Sequence, residues 1–293
     1  MATTSKLFVS GATGQLGRLV IDALLEEAPA SAIVAGVRDP AKATAVAIRD
    51  KGVEVRVADY DRPETLASAL AGVDRLLLIS SHELGQRAAQ HRSVIAAAKA
   101  AGVALIAYTS ILHADTSPLF LANDHRDTEA ALAESEVPFV LLRNGWYNEV
   151  YTWRIEAAIK LGAFLGASGE GLISSASRAD YAKAAAIVLA SGDHAGRTYE
   201  LAGNAPYVLA EFVDAVAQAY DKPLPYQNMS PEDYRKALLE AGMPEKFAMI
   251  LADTDAGVAK GALFDDGDDL VRLIGRPATS FRTTVAEFVQ KHL

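Results

Sequence analysis

Short apolar runs alternate with longer stretches of helical spacing through the first half of the chain. The runs are rich in Val, Ile and Leu and are apolar on both faces, as in strands of a parallel sheet covered by helices on both sides. The predicted strands are 7–10, 33–37, 53–58, 75–79, 104–109 and 139–143, and the predicted helices are 15–28, 40–50, 63–71, 85–101 and 125–135. This alternation predicts an α/β fold with a Rossmann-type, doubly wound parallel sheet.

Residues with preferred positions at helix ends agree with this pattern. Asp39 and Asp61 stand close before Pro40 and Pro63, so each acid is predicted to cap a helix that has the proline in its first turn. Gly102 follows the long Ala-rich helix, where a left-handed C-cap is expected. These local signals favour the same order of strands and helices.

After residue 143 the alternation loosens. Four glycines between 162 and 171 indicate loops and short strands, and Asp180 is predicted to cap a helix that ends near Gly192. The remaining predicted elements are a strand at 198–201 and helices at 209–220, 231–241, 244–258 and 282–292. We therefore expect a first domain at 1–145 and a smaller, mostly helical C-terminal lobe at 146–293 that packs on it.

The composition is that of a globular chain, and it excludes several kinds of site. Of the 293 residues, 51% are hydrophobic and 22% are charged, and the net charge of −9 disfavours nucleic acid or an anionic membrane as a partner. The absence of cysteine excludes disulfides and thiolate sites, and the histidines lack metal-binding spacing, so no metal is expected. No apolar run reaches the roughly 18 residues of a spanning helix. These features predict a cytoplasmic protein without membrane insertion and leave its oligomeric state open.

A glycine-rich segment, Gly11-Ala12-Thr13-Gly14-Gln15-Leu16-Gly17, follows the first strand and opens the first helix. A dinucleotide pyrophosphate needs close approach of backbone N–H groups, which glycine permits, and a helix N-terminus favours an anion. The spacing is G-x-x-G-x-x-G instead of the more frequent G-x-G-x-x-G, and a tight strand-to-helix turn is the alternative interpretation. Its position in the first βαβ unit favours dinucleotide binding, with contacts from Gly11, Thr13, Gly14, Gln15, Leu16 and Gly17.

The end of the second strand indicates which dinucleotide is bound. NAD-selective sites have an acid there, about 20 residues after the glycine loop, to hold the ribose hydroxyls. Here the strand ends in Gly36-Val37-Arg38, and a guanidinium suits the 2′-phosphate of NADPH. The alternative is an exposed arginine that Asp39 neutralises. We expect NADPH as the cofactor, with NADH disfavoured.

Polar residues follow the other predicted strands at the sheet edge where such folds bind ligands. Each could be an ordinary polar group of a loop, but together they mark a crevice. The predicted cofactor contacts after the third, fourth, fifth and sixth strands are Asp59, Tyr60, Ser80, Ser81, His82, Thr109, Asn144, Gly145 and Trp146.

The chain lacks the acid–base pair of common short-chain dehydrogenases. None of its lysines has a tyrosine four residues earlier, and Tyr181-Ala182-Lys183 has the wrong spacing. A quinone can accept a hydride without such a pair, because the hydroquinone anion is a weak base that water or a single donor can protonate. Catalysis can then rest on holding the reactants together. The missing pair therefore indicates an easily reduced acceptor or no reaction at all.

Several segments resemble the NmrA-like, atypical short-chain dehydrogenases, and in particular the bacterial NAD(P)H:quinone oxidoreductases of type 2. The similarity covers nearly the whole chain, and triphenylmethane dye reductases match less well at the segments of His113 and Trp146. The matching segments are the glycine loop, Arg38, Asp59-Tyr60, 76–81, 83–87, 90–92, 107–110, 112–119, 142–147 and 260–266. One departure is Ala130, where a lysine is expected, so the resemblance carries no role for a lysine at that position.

The resemblance implies a flavin-free enzyme that reduces quinones with NADPH. It implies that the loop 11–17 binds the pyrophosphate and that Arg38 binds the 2′-phosphate. It also implies that 80–82 and 144–146 lie near the nicotinamide.

For the acceptor side, Asn144 and Tyr147 are the predicted catalytic residues, and Trp146 and Phe264 are the predicted substrate contacts. Core packing is the alternative for the aromatic side chains, and a turn-forming role is the alternative for Asn144. His113, in the loop after the fifth strand, is expected to be a solvated loop residue.

Three other functions stay open at this stage. One is a nucleotide-sugar or isoflavone-type reductase, which would normally need its lysine or tyrosine. A redox-sensing regulator of the NmrA type would bind NADP without turning it over, and a triphenylmethane dye reductase would use the same glycine loop. A regulator would usually need an additional interaction surface or a long insertion, and this compact acidic chain has neither. A small aromatic acceptor such as a quinone is therefore the expected partner.

Overall fold

The computed structural model describes residues 5–83 and 85–293, so Leu84 of the 83–87 segment lies outside the described residues. The chain forms two compact units, and each is assembled from separate stretches of sequence. Of the described residues, the first unit takes those within Met1–Ile111, Asp124–Arg143 and Arg178–Tyr199, and the second takes Leu112–Asn123, Asn144–Ser177 and Glu200–Leu293. This division differs from the single boundary at 145 that the sequence suggested.

The elements follow one another along the chain in two parts. The first part contains β1 (Leu7–Val9), α1 (Gln15–Glu27), β2 (Ile33–Val37), α2 (Ala43–Arg49), β3 (Glu54–Val57), α3 (Glu64–Ala69), β4 (Arg75–Leu78), α4 (Arg87–Ala101), β5 (Leu105–Ile111), α5 (Phe120–Glu134) and β6 (Phe139–Asn144). The second part contains α6 (Asn148–Thr152), α7 (Ile155–Leu161), β7 (Phe164–Gly166), β8 (Leu172–Ile173), α8 (Arg178–Ser191), β9 (Thr198–Leu201), β10 (Tyr207–Val208), α9 (Leu209–Tyr220), β11 (Tyr226–Asn228), α10 (Pro231–Glu240), α11 (Glu245–Val258), α12 (Asp269–Ile274) and α13 (Phe281–His292).

The main sheet has seven strands in the order β3-β2-β1-β4-β5-β6-β9. β1 pairs in parallel with β2 on one side and with β4 on the other, and the pairs β2–β3 and β4–β5 are also parallel. The strand order reverses between β1 and β4, and doubly wound sheets bind ligands at such a switch point, beyond the carboxyl ends of the strands. The predicted Rossmann-type doubly wound sheet is confirmed.

The first unit buries this sheet on both faces, as its apolar strands require. Every residue of β1 and β2 is buried, and Phe8, Leu76 and Ile106 of the sheet share one apolar cluster with Leu66 and Val94 of the covering helices. α8 packs against α1. This packing explains why residues 178–199 belong to the first unit although they come late in the sequence.

The second unit has a core of aromatic rings around α9. The ring of Phe212 lies 5.6 Å from Tyr151, 5.9 Å from Phe164 and 6.0 Å from Phe281, measured between centroids. Two small sheets accompany it, since β7 pairs in parallel with β11 and β8 pairs in antiparallel with β10. Edge and tilted ring contacts of this kind hold a unit together without long strands.

Several helix ends differ from the sequence prediction, and two of them belong to the helices that aspartates were predicted to cap. Asp39 does not cap α2, which begins at Ala43. Its carboxylate instead accepts a hydrogen bond from Ala41 N–H at 2.9 Å in the preceding turn. The other predicted cap, Asp61, also lies outside its helix, because α3 begins at Glu64 after Pro63.

Two further helices begin earlier than the sequence suggests. α5 begins at Phe120, five residues before the predicted start, and the N–H of Phe120 donates to Asp253 Oδ2 of α11 at 2.8 Å. α8 begins at Arg178, so Asp180 lies within its first turn instead of capping it. Gly102 is the C-cap of α4 with a φ of 73°, which confirms that prediction. Within 5–83 and 85–293, every helix is too short or too polar to cross a bilayer.

Candidate active site

The glycine loop between β1 and α1 keeps its backbone open to a ligand. Gly11 has a φ of 58°, a left-handed conformation that favours glycine, and Gly14 N–H donates to the Gly11 carbonyl at 2.9 Å. A Cβ added at Gly17 would lie 2.4 Å from the Gly11 carbonyl oxygen and 2.8 Å from Ala12 Cα. A side chain at position 17 would therefore push the loop and the helix apart.

The first turn of α1 presents N–H groups that no side chain of the described residues caps. Gly14 is the N-cap, and both Gly14 and Gln15 are exposed, whereas Thr13 is half-buried and Leu16 packs inward. The first turn carries no acidic residue, so the partial positive charge of the helix end is not neutralised there. This arrangement can bind the pyrophosphate of a dinucleotide.

Arg38 lies at the end of β2, which is tied to the glycine loop by a hydrogen bond from Ala12 N–H to Gly36 O at 3.1 Å. The Arg38 side chain is exposed, and in the part of the chain that the structure describes no carboxylate pairs with it. Asp39, the residue that could have neutralised it, accepts a hydrogen bond from Ala41 N–H instead. The Arg38 guanidinium is therefore available to an anion.

Asp59 and Tyr60 follow β3, and both are half-buried. The Tyr60 hydroxyl oxygen lies 2.5 Å from Ser10 Oγ and 3.1 Å from Ile79 O, and this contact braces the end of β4 against the end of β1. Burial raises the pKa of Tyr60 above its ordinary value, so the hydroxyl stays neutral. Asp59 N–H donates to Thr65 Oγ1 at 3.0 Å, which fixes the turn before α3.

The segment after β4 is braced from β5. Ser80 N–H donates to Thr109 Oγ1 at 2.8 Å, and Thr109 is buried while Ser80 and Ser81 are half-buried. His82 has an exposed side chain whose Nε2 lies 3.1 Å from Glu83 Oε1. Thr109 thus supports the sheet edge, whereas the serines and His82 are accessible to a ligand.

A buried ion pair that the sequence did not reveal lies at the junction of β5, α5 and β6. Glu129 Oε2 accepts a hydrogen bond from Arg143 Nη2 at 2.7 Å, and Glu129 Oε1 accepts one from Ser110 Oγ at 2.6 Å. Glu129 is next to Ala130, the position at which the resemblance led us to expect a lysine. The Ser110 hydroxyl is thereby oriented toward a carboxylate. No motif in the sequence indicated this contact.

The predicted acceptor-side residues around the end of β6 belong to the second unit. Asn144 is the last residue of β6 and is buried, and no described residue donates a hydrogen bond to its Oδ1. Gly145 N–H donates to Leu201 O at 2.7 Å, which fixes the backbone there. Trp146 and Tyr147 are half-buried, and Tyr147 is the N-cap of α6. Asn144 therefore carries an amide oxygen suited to a further donor.

Phe264 is half-buried in the turn after α11, and His113 holds that turn. His113 Nε2 lies 3.2 Å from Phe264 O and 3.3 Å from Asp265 Oδ2, and its Nδ1 lies 3.7 Å from Glu200 Oε2. His113 also has a φ of 50°, which is uncommon for a residue with a side chain. It is a half-buried bridge within the second unit, not the solvated loop residue that we expected.

The predicted site residues thus fall into both units. The first unit carries Gly11, Thr13, Gly14, Gln15, Leu16, Gly17, Arg38, Asp59, Tyr60, Ser80, Ser81, His82 and Thr109, and the second carries Asn144, Gly145, Trp146, Tyr147 and Phe264. Among the described residues, no three His, Asp or Glu side chains are grouped to hold a metal ion. The cofactor-side residues surround the β1–β4 switch point, where the fold places its ligands.

Comparison with known proteins agrees with this geometry. A family model described as NAD(P)H-binding matches residues 11–191. The chain is 52% identical to quinone oxidoreductase 2 of Escherichia coli (strain K12) over 278 residues, which is 95% of this chain and 96% of that protein. It superposes with a TM-score of 0.93 on the crystal structure of an NADPH-dependent quinone oxidoreductase from Escherichia coli complexed with NADPH, with 51% identity over 96% of this chain and 99% of that one.

A second group of structures is also similar. The Citrobacter sp. triphenylmethane reductase complexed with NADP(H) has a TM-score of 0.91 and 38% identity, covering 97% of this chain and 100% of that one. Identity is thus higher to the quinone oxidoreductase than to the dye reductase, as the sequence motifs indicated. The chain belongs to the NAD(P)H-binding family, in the type 2 quinone oxidoreductase branch of the NmrA-like proteins.

Proposed function

We propose that this protein is a flavin-free quinone reductase that uses NADPH as its hydride source. The observation that carries the proposal is the pairing of an uncapped glycine-loop helix end with an unpaired arginine after β2. The first feature suits a pyrophosphate, and the second suits the additional phosphate that distinguishes NADPH from NADH. The high identity to a quinone oxidoreductase supports a quinone as the acceptor.

The described residues fit the cofactor at its phosphate end. Gly17 has no Cβ to collide with the Gly11 carbonyl, so the loop can pack closely on α1, and the N–H groups at the start of α1 have no side-chain cap among the described residues. In this proposal the N–H groups of Gln15 and Leu16 bind the pyrophosphate while Gly14, whose N–H donates to Gly11 O, shapes the turn. Arg38 binds the 2′-phosphate by charge and paired hydrogen bonds. Asp59 and Tyr60 border the adenosine end.

On the acceptor side, the proposed roles follow from burial and from hydrogen-bonding capacity. When bound, NADPH supplies a hydride that reduces the quinone ring. Asn144 offers a buried amide oxygen that can orient a carboxamide or another N–H donor. Trp146 and Phe264 supply apolar surface for an aromatic ring and exclude water from it.

The proton that completes hydroquinone formation needs only a weak donor. Ser110 is unsuited to this role because its hydroxyl already donates to Glu129 Oε1 at 2.6 Å. We assign the proton to the Tyr147 hydroxyl or to water, and the Tyr147→Phe variant distinguishes the two. A fall in kcat at unchanged KM supports Tyr147, and unchanged turnover assigns the proton to water.

The test is a direct assay of the purified protein. NADPH absorbance is followed with benzoquinone, with a naphthoquinone and with a triphenylmethane dye, each against a blank without protein. Faster decay with the quinones than with the dye supports the proposal. Faster decay with the dye supports a dye reductase, and binding of NADPH without any decay above the blank supports an NADP-binding regulator.

A further inference from the structure

Two buried side chains of α4 bind the backbone of a single residue beyond β4. Arg87 and His91 are one helical turn apart, so they lie on the same face of α4. Arg87 Nε donates to Ser81 O at 2.6 Å, and His91 Nε2 accepts from Ser81 N–H at 3.0 Å. The backbone of Ser81 is thus held on both its donor and its acceptor.

The hydrogen bond from Ser81 N–H to His91 is the third of three consecutive backbone hydrogen bonds after β4. Successive N–H groups of Ile79, Ser80 and Ser81 each donate to a side chain, namely Ser10 Oγ at 2.9 Å, Thr109 Oγ1 at 2.8 Å and His91 Nε2 at 3.0 Å. A segment that leaves a strand normally has free N–H groups that water satisfies. Here three consecutive peptide groups are fixed by the protein itself, at the carboxyl end of the strand that borders the switch point.

His91 can act as an acceptor because its tautomer is fixed. Thr128 Oγ1 donates to Asp124 O at 2.9 Å, so Thr128 must accept at its oxygen from His91 Nδ1–H, which lies 2.9 Å away. That leaves Nε2 with its lone pair toward Ser81. Burial, together with the nearby Arg87 cation, lowers the pKa of His91 to about 3, so the ring is neutral at physiological pH.

We propose that Arg87 and His91 are positioning residues. They fix the backbone of Ser81, which forms the wall against which the nicotinamide end of the cofactor is held. This inference rests on the proposed function, with the nicotinamide beside 80–82 as the family resemblance implies. Neither side chain need touch the cofactor, since Arg87 is 7% exposed and His91 is 0% exposed. Two ionisable side chains are costly to bury, and packing alone would be met by apolar residues.

Two substitutions at His91 separate the hydrogen bond from the ring. His91→Phe keeps a ring that can pack edge-on against Tyr60 and Tyr108, as His91 does now at 6.1 Å and 5.5 Å, but it removes the acceptor. His91→Gln removes the ring and restores an amide oxygen near the position of Nε2. Ser93→Ala serves as the matched control, because Ser93 is a half-buried residue of α4 whose hydroxyl donates to Ala89 O of the same helix at 3.2 Å.

Three readouts are independent of turnover. The first is the hydrogen-exchange rate of the Ser81 amide. The second and third are the calorimetric Kd values of NADPH and of adenosine 2′,5′-bisphosphate, a fragment that carries the adenosine end and the 2′-phosphate but no nicotinamide.

For His91→Phe we expect Ser81 exchange to rise at least about tenfold and the Kd of NADPH to rise about fivefold, as for the loss of one hydrogen bond. The Kd of the bisphosphate should stay within about twofold of wild type. His91→Gln and Ser93→Ala should resemble wild type in all three readouts. If His91→Phe fails to fold, Thr128→Val replaces it, because loss of the Nδ1 partner frees the tautomer and should give a smaller change in the same direction.

Equal weakening of both ligands would assign His91 a purely structural role and overturn the inference, and so would an unchanged Kd for NADPH. Failure of the proposed function looks different. In that case wild-type protein reduces no quinone, or binds the bisphosphate as tightly as NADPH, whatever residue stands at position 91.

Discussion

The two compact units hold their loops by different physical means. At the cofactor edge of the first unit, neutral side chains accept backbone N–H groups, as Ser10, Thr109 and His91 do after β4. The charged brace there is a cation, since Arg87 Nε donates to Ser81 O at 2.6 Å. In the second unit, charged groups hold the backbone, as Arg154 and Asp255 do around β7. None of these four groups of the first unit is an anion, so they leave the charge of Arg38 unopposed for a phosphate. In the second unit the backbone depends on an ion pair, which makes that unit sensitive to the loss of a single partner.

The charged centre of the second unit lies among aromatic rings. Arg154 lies 4.5 Å from the centroid of Phe164 and 5.4 Å from that of Tyr234, and its Nη2 donates to Leu165 O at 2.6 Å. Asp255 accepts from Ala167 N–H at 2.9 Å, and its other oxygen lies 3.7 Å from Arg154 Nη1. Burial raises the pKa of Asp255, so this carboxylate depends on its arginine to remain charged.

The largest effect should come from the backbone of the first unit. In Gly17→Ala, the new Cβ would collide with the Gly11 carbonyl at 2.4 Å, so we expect the Kd of NADPH to rise at least about a hundredfold. Gly102→Ala is the control, since the new Cβ would meet no atom within 4 Å. Gly102 also has a positive φ, of 73°, but it lies at the C-terminal end of α4 and not in the glycine loop. That variant should lose about 1 kcal/mol of stability and no NADPH affinity. Calorimetry and thermal unfolding measure both quantities, and equal affinities for the two variants would contradict the role of the loop.

The next effect is a loss of stability in the second unit. Arg154→Met removes the partner of a buried carboxylate and should lower the free energy of unfolding by about 3 kcal/mol. Arg62→Met is the matched control, because both partners of its ion pair with Glu64 are exposed and such pairs contribute little. Urea unfolding measures the difference. Similar midpoints for the two variants would show that the second unit does not depend on its charged centre.

Because His91 is held neutral in the folded protein, we predict that the free energy of unfolding depends on pH. The pKa of His91 falls from 6.5 in the unfolded chain to about 3 in the folded protein. Below pH 6.5 the unfolded chain therefore binds a proton that the folded protein does not, and the contribution of His91 to stability is lost as the pH falls toward 3. Between pH 7 and pH 5 this loss should be about 2 kcal/mol.

The measurement is urea unfolding of wild type and His91→Gln at pH 7 and at pH 5. His125 is also buried with its pKa lowered well below the ordinary value, so it acts in the same direction in both proteins. The difference between the two pH dependences therefore isolates His91. Identical dependences would mean that His91 is not held neutral in the folded state.

The smallest effect concerns the His113 bridge. His113→Asn keeps a residue that tolerates a φ of 50° but removes the contact with Asp265, and we expect a loss of about 1 kcal/mol. We also expect a higher KM for the quinone at unchanged NADPH affinity, because His113 holds the turn of Phe264. Asp115→Asn, exposed in the same loop, is the control. Parallel changes in both variants would remove His113 from the acceptor side.

The elements that the sequence predicted well are those whose signals are local. β9 at Thr198–Leu201 and α9 at Leu209–Tyr220 have the predicted bounds, because each shows a complete hydrophobic period between clear breaks. The short helices α2 and α3 were predicted with the help of Pro40 and Pro63, whereas α6 and α7, with five and seven residues, have no such signal before them and were missed. The start of α5 depends on Asp253, more than a hundred residues away, and no local pattern records that contact.

The same distinction applies to the site. The glycine loop and Arg38 have a spacing that binding of a dinucleotide requires, so they can be recognised in the sequence. The braces at His91 and Glu129 depend on side chains that meet only after the helices pack on the sheet. His113 was taken for a solvated residue because Glu200 and Asp265, which flank it, are distant in the chain.

The most direct test of the account is calorimetry of NADPH and NADH with wild-type protein and with Arg38→Ala. We predict that wild type binds NADPH about 10- to 100-fold more tightly than NADH, as expected for a phosphate paired with a guanidinium. Arg38→Ala should bind the two cofactors with equal affinity. Absence of NADPH binding by wild type, or a preference for NADPH that survives the loss of Arg38, would contradict the account.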